Sequence, residues 1–164
     1  MSRARSGLKV LFVCSGNTCR SPLAVAALRA ELGGDAGAIE LDSAGTAAAA
    51  GEPASAGSLR VAAAAGFDLS RHRSKPLTRG IVLDADLVFV MSPSHRAAVE
   101  SLGAPRERVH VLSEWPAPGD PGSPVFDPFG ASIEAYEECW RRIRLHARRI
   151  APHVRQALRE RPLP

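Results

Sequence analysis

Four short apolar runs punctuate the chain: KVLFV (9–13), AIELDSA (38–44), DLVFVM (86–91) and RVHVLS (108–113). Each has strand length and sits between stretches that form turns or helices, so each predicts a buried strand. Residues 22–33, 54–66 and 93–102 predict helices between them. The alanine- and glycine-rich TAAAAGEPASAG (46–57) predicts a loop that leads into the second helix. A last, long helix begins near residue 131. Its apolar residues Ile133, Tyr136, Trp140, Ile143, Ala147, Ile150, Val154 and Leu158 keep three- and four-residue spacing. Pro152 falls inside it and should kink or end it.

Strands alternating with helices imply a parallel sheet covered on both faces, a three-layer α/β/α arrangement. Ligands in such sheets bind beyond the carboxyl ends of the strands, at the point where strand order reverses. The loop after the first strand, starting at Cys14, falls in that region.

Composition narrows the class. The 164 residues suit one domain, 1–164, with a full core; 45% are hydrophobic and 23% charged. No apolar run reaches the ~18 residues that span a bilayer, so no membrane partner is expected. The opening MSRARSGLKVLFV has too short an apolar stretch for a signal peptide, which predicts a cytoplasmic protein. The three cysteines, Cys14, Cys19 and Cys139, do not make a disulfide framework, and no CxxC pair or histidine cluster accompanies them. Neither a metal nor a cofactor is expected, and the default assembly is a monomer. The net charge of +4 owes much to Arg141, Arg142, Arg144, Arg148, Arg149, Arg155, Arg159 and Arg161. These read as a solvated helix face or as a surface for nucleic acid. No nucleic-acid motif accompanies them, and Glu134, Glu137 and Glu138 precede them in the order a helix dipole favours.

The chemistry concentrates in CSGNTCRSP, residues 14–22. Residues 14–20 contain no proline, so every main-chain N–H is available. Gly16 accepts positive φ and Asn17 tolerates it, which lets successive amides converge on an anion. A helix starting near Ser21-Pro22 adds partial positive charge at its N-terminus. Arg20 supplies a planar fork that matches two phosphate oxygens. Such a pocket binds a phosphate-like dianion and favours Cys14 as thiolate. A thiolate beneath a phosphoryl group is an in-line nucleophile, giving a phosphocysteine that water then hydrolyses. The bland competitor is a small buried cysteine ending a strand. Downstream, EWPAPGDPGSPVFDPFG (114–130) offers Asp120 and Asp127 as general acids, each before a proline; spacing alone does not choose between them.

VCSGNTCRSPLA resembles the phosphate loop of the low-molecular-weight protein tyrosine phosphatases, including its place after the first strand. LDSAGT (41–46), HRSKPLT (72–78), DADLVFVM (84–91) and DPFG (127–130) resemble further motifs of that family. The resemblance implies a four-stranded parallel sheet of order 2-1-3-4. It implies Cys14 as nucleophile, Arg20 as phosphate clamp and Asp127 as acid and then base, leaving Asp120 as a turn residue. Ser15, Gly16, Asn17, Thr18, Cys19 and Arg20 would bind the phosphate, and Asn17, Ser21, Ser43 and His72 would hold the loop in shape. Without the family, Ser43 and His72 read as ordinary surface residues. Cys19 is either loop packing or, as in family members, the partner of a reversible disulfide with Cys14.

Phosphorylated proteins are the implied substrates. Thr18 with Asp127-Pro128-Phe129-Gly130 resembles the bacterial protein-arginine phosphatase branch, making Thr18 and Phe129 the selectivity residues. A hydroxyl suits a polar guanidinium, whereas an aliphatic side chain suits a phenyl ring. The alternative is a tyrosine phosphatase. An arsenate reductase would need further cysteines that residues 75–100 lack, and a binding module without turnover would not need both Cys14 and Asp127.

Overall fold

The computed structural model describes residues 7–117 and 122–162; Asp120 and the first six residues lie outside them. Strands β1 (Leu8–Cys14), β2 (Ile39–Gly45), β3 (Leu87–Val90) and β4 (Val109–Val111) form one parallel sheet in the order β2-β1-β3-β4. Helices α1 (Arg20–Leu32), α2 (Ala56–Ala64), α3 (Arg79–Asp84), α4 (Pro93–Ser101) and α5 (Ile133–Arg159) cover its two faces. The order matches the one that the resemblance implies.

The two-residue period of β1 builds both cores. Leu8, Val10, Phe12 and Cys14 join one apolar cluster with α1, α2 and α5. Leu11 and Val13 join the other, with Val82 of α3 and Val99 of α4. Val10, Leu11, Phe12 and Val13 are each at most 1% exposed. Burial of each such side chain contributes roughly 1.5–3 kcal/mol. The chain leaves β1 towards β2 on one side and reaches β3 on the other, so strand order reverses at the carboxyl end of β1, where Cys14 sits.

Three local expectations need correction. Helix α1 begins at Arg20, so Pro22 is its third residue, still inside the first turn where no N–H partner is required. Pro152 does not end the last helix: α5 runs through it to Arg159. Pro152 is exposed, while Ile150, Ala151 and Val154 are buried beside it, so packing holds the helix on either side of the missing donor. Strand β4 stops at Val111, and a 3-10 turn (Leu112–Glu114) takes over. The six-residue α3, capped by Thr78 accepting from the Ile81 amide, was not anticipated.

The arginines of α5 are mostly engaged within the chain. Arg148 pairs with Glu31 and Arg155 with Asp35, fastening α5 to the end of α1. Arg141 and Arg142 pair with Glu138, and Arg161 pairs with Asp86. Arg144 lies over the rings of Phe67 and Trp140. Arg149 donates to the carbonyls of Leu112 and Trp115, tying the start of the 114–130 loop to the helix. Arg141 and Arg148 nonetheless remain largely exposed, so the stripe is a solvated helix face whose charges are partnered mostly within the chain. Among the described residues no helix is long and apolar enough to cross a membrane.

Candidate active site

The loop between β1 and α1 curls around the end of the strand because its carbonyls are drawn outward. The Cys14 carbonyl accepts from Thr46 N (2.9 Å), that of Ser15 from Ala47 N (2.9 Å) and that of Thr18 from Ser55 N (2.8 Å). The Asn17 carbonyl accepts from His72 Nε2 at 2.6 Å. In a trans peptide the N–H points away from the preceding C=O. Four outward carbonyls therefore turn the amides of Ser15, Gly16, Thr18 and Cys19 inward. The segment after β2, expected only as a connecting loop, supplies three of these four anchors.

Asn17 is the pivot. It alone among the described non-glycine residues has positive φ, +56°, so the left-handed position falls on Asn17 and not on Gly16. Its side chain is fully buried. Oδ1 accepts from Lys75 N at 3.0 Å, and Nδ2 donates to Ser21 Oγ (2.8 Å) and Ser43 Oγ (2.9 Å). The Ser21 hydroxyl lies 3.0 Å from Cys14 Sγ. Because Asn17 donates to Ser21 Oγ, the hydroxyl proton is left for the sulfur. The structure thus brings Asn17, Ser21, Ser43 and His72 together around the loop. Burial lowers the pKa of His72, with its bond to the Asn17 carbonyl opposing, so the neutral ring donates through Nε2.

Gly45, paired with Cys14 across β1 and β2, makes this closeness possible. A Cβ there would lie 2.4 Å from the Ser15 carbonyl oxygen and 3.0 Å from the Asn17 amide nitrogen. Gly45→Ala should cost about 1–3 kcal/mol in stability through backbone displacement. It should also lower kcat/KM roughly 10-fold or more, because small misplacements at a reacting centre are expensive. Denaturant titration alongside kinetics checks both; a variant as stable and active as the parent would contradict the close approach.

Above the loop lies a cavity of about 610 Å³, bordered by Cys14, Gly16, Thr18, Arg20, Glu52, Asp127 and Phe129 among others. Cys14 Sγ and Arg20 are buried at its base. Arg20 Nη2 lies 3.5 Å from Asp127 Oδ2 and Nη1 donates to the Val125 carbonyl at 3.4 Å. Arg20 Nε is buried without a hydrogen-bond partner, a donor that an oxyanion would satisfy. Asp127 Oδ1 accepts from Phe129 N at 3.1 Å, which fixes the turn. Phe129 stands at the rim, 71% exposed. Cys19 points elsewhere: its sulfur contacts Ser55 Oγ (3.2 Å) and Tyr136 Oη (3.5 Å), and both Cys14 and Cys19 are free thiols. Burial pushes the Cys139 thiol up to about 12, keeping it unreactive in the core.

Glu52 at the cavity border, Tyr136 and His95 are side chains at the site whose place there the sequence reading did not foresee. Tyr136 appeared only as a member of the α5 apolar stripe, yet its hydroxyl meets Cys19. His95 had no signal beyond its place just after β3, whose carboxyl end borders the crevice. It lies 2.8 Å from Ser15 Oγ through Nε2.

Comparison with known proteins agrees with this geometry. A family profile described as low molecular weight phosphotyrosine protein phosphatase matches residues 9–161. A probable low molecular weight protein-tyrosine-phosphatase EpsP of Ralstonia nicotianae is 34% identical over 147 residues, covering 89% of this chain and 95% of that protein. A protein-arginine-phosphatase of Bacillus subtilis is 34% identical over 132 residues, covering 80% and 86%. Among solved structures, a YwlE arginine phosphatase mutant with a phosphorylated active-site serine superimposes with TM-score 0.84 at 30% identity, covering 93% of this chain and 99% of that one. Wzb of Vibrio vulnificus in complex with benzylphosphonate gives 0.78 at 30% identity, covering 89% and 98%. With its sheet order, its cysteine-containing loop and a match over nearly its whole length, the chain belongs to the low-molecular-weight protein tyrosine phosphatase family.

Proposed function

We propose that the chain is a cysteine-dependent phosphoprotein phosphatase whose preferred substrate side chain is phosphoarginine. The observation that carries the phosphatase reading is the arrangement at the cavity floor. Cys14 sits inside a ring of inward amides, and Arg20 and Asp127 stand 3.5 Å apart. The amides and Arg20 bind the three non-bridging oxygens of the phosphoryl group. The Cys14 sulfur attacks phosphorus, the bond to the leaving atom breaks, and Asp127 gives that atom its proton. Asp127 then takes a proton from water as the water attacks phosphorus and releases Cys14 and phosphate. The donors that hold the ground-state oxygens also hold the charge in both transition states. A phosphate dianion replaces Asp127 as the partner of Arg20, which leaves the Asp127 carboxyl to face the leaving atom.

The substrate choice rests on what lines the cavity. Thr18 places a hydroxyl there, and two carboxylates, Asp127 and Glu52, border it. The guanidinium of phosphoarginine is polar and cationic and gains from the Thr18 hydroxyl and the Glu52 carboxylate; a phenyl ring gains from neither, and Asp127, as proton donor, serves either leaving group. Phe129 at the rim offers a stacking face to a planar guanidinium and to a phenyl ring alike, so it does not choose between them. That a relative is named a protein-arginine-phosphatase supports the same choice.

The test compares kcat/KM on phosphoarginine and phosphotyrosine peptides. Wild type is expected to favour phosphoarginine. Thr18→Ile should move the ratio towards phosphotyrosine by roughly 10-fold or more, the range that one pocket contact commands. Glu52→Gln, at an exposed site, should move it a few-fold in the same direction. A wild type that favours phosphotyrosine would make this an ordinary tyrosine phosphatase, and an unchanged ratio in Thr18→Ile would remove the stated cause.

A further inference from the structure

We infer that His95 is a positioning residue of the phosphate loop, holding Ser15 from the β3 side of the crevice so that the amide beside Cys14 stays aimed at the bound phosphoryl group; this rests on the phosphate-binding reading above. The other anchors of the loop come from the opposite side. Thr46, Ala47 and Ser55 follow β2, Ser43 is in it, and His72 and Lys75 belong to the segment that pairs with its end. His95 belongs to α4, the helix after β3. The loop is therefore gripped across the point where strand order reverses.

The imidazole is built into place. It is 6% exposed, with Nε2 2.8 Å from Ser15 Oγ and Nδ1 3.1 Å from Ser92 Oγ. Both partners are hydroxyls, which donate or accept, so both contacts hold in either neutral tautomer. Ser92 occupies the N-cap of α4, where a serine hydroxyl ordinarily accepts from the first-turn amides. Here it makes no such cap and is engaged with His95 and Ser94 instead. A helix that forgoes its cap to orient a side chain places that side chain above its own stability. Burial, with Arg20 adding to it and Asp127 opposing, lowers the pKa of the ring, so it orients Ser15 without adding charge at neutral pH.

Side-chain length supplies the test. Glutamine places its amide nitrogen near the position of Nε2 and can reach Ser15, whereas asparagine ends near Nδ1 and reaches Ser92 only. His95→Ala should weaken competitive inhibition by inorganic phosphate and lower kcat/KM by similar factors, roughly 10-fold, since the loop must then be ordered by the ligand. His95→Gln should recover most of both, and His95→Asn should behave like the alanine variant. In a Ser15→Ala background, His95→Ala should cause little further loss, because the two residues act as one unit. Thermal melts confirm folding, and direct titration with inorganic phosphate reads the loop without turnover. The inference is overturned if folded His95→Ala binds phosphate as wild type does, if asparagine rescues as well as glutamine, or if the loss is undiminished in the Ser15→Ala background. Should wild type bind phosphate yet hydrolyse no phosphopeptide, the phosphatase reading fails while the same titrations still decide the role of His95.

Discussion

Replacing Cys14 by serine is expected to lower kcat by roughly 10⁴-fold or more while leaving phosphate binding nearly intact. The two effects separate because they have different sources. Binding comes from the inward amides and from Arg20, none of which the substitution touches. Turnover needs a sulfur that attacks and later leaves; a serine stays a neutral hydroxyl near neutral pH, a weak nucleophile, and its alkoxide is a poor leaving group. The Ser21 hydroxyl, 3.0 Å from the sulfur, supports the anionic nucleophile and has little to offer a neutral hydroxyl. The variant should therefore trap substrate, or accept one phosphoryl group and stall. Burst kinetics and inhibition by inorganic phosphate distinguish loss of chemistry from loss of the pocket. Steady turnover by the serine variant would remove Cys14 from the mechanism.

Asp127→Asn should lower kcat by 10²–10⁴-fold, the usual worth of a positioned proton donor. The loss should depend on the leaving group. A nitrophenolate departs without a proton, so its transfer to Cys14 should be affected less than transfer from a guanidine or phenol of ordinary basicity. Hydrolysis of the intermediate should slow equally for every substrate, because the same water attacks the same phosphocysteine. Asparagine keeps the shape of the turn that Asp127 makes with Phe129 N, so the change is chiefly one of proton transfer. Stopped-flow measurements with aryl phosphates of graded basicity check this. Equal losses across the series in the first step would reassign the proton donor.

What the sequence makes legible follows from distance along the chain. Cys14, the small residues after it and Arg20 lie within seven positions, and the strand and helix on either side are strongly patterned, so the anion cup can be reasoned out locally. The choice of Asn17 as the positive-φ residue was half legible: Gly16 competed, and the hydrogen bonds that favour Asn17 come from Ser43 and Lys75, distant in sequence. Ser43 and His72 were visible only through family resemblance, since neither has a local signature. His95 touches Ser15 from eighty residues away and stayed hidden for the same reason. Helix α3, at six residues, is too short to show a period. The run through Pro152 reflects packing on both sides of the proline outweighing a local preference. The role of the arginines in α5 depended on whether Glu31, Asp35 and Asp86 reach them, a matter of tertiary distance.

The central claim is that the phosphoryl group passes through the Cys14 sulfur. It is tested most directly by quenching Asp127→Asn during turnover of nitrophenyl phosphate, whose leaving group needs no proton, and mapping phosphate by mass spectrometry and phosphorus NMR. Slowed hydrolysis should leave a phosphoryl group bonded to sulfur in the peptide that contains Cys14, formed as quickly as dephosphorylated product appears. Product formed with no phosphoryl group on Cys14, or with the group on another residue, would contradict the account.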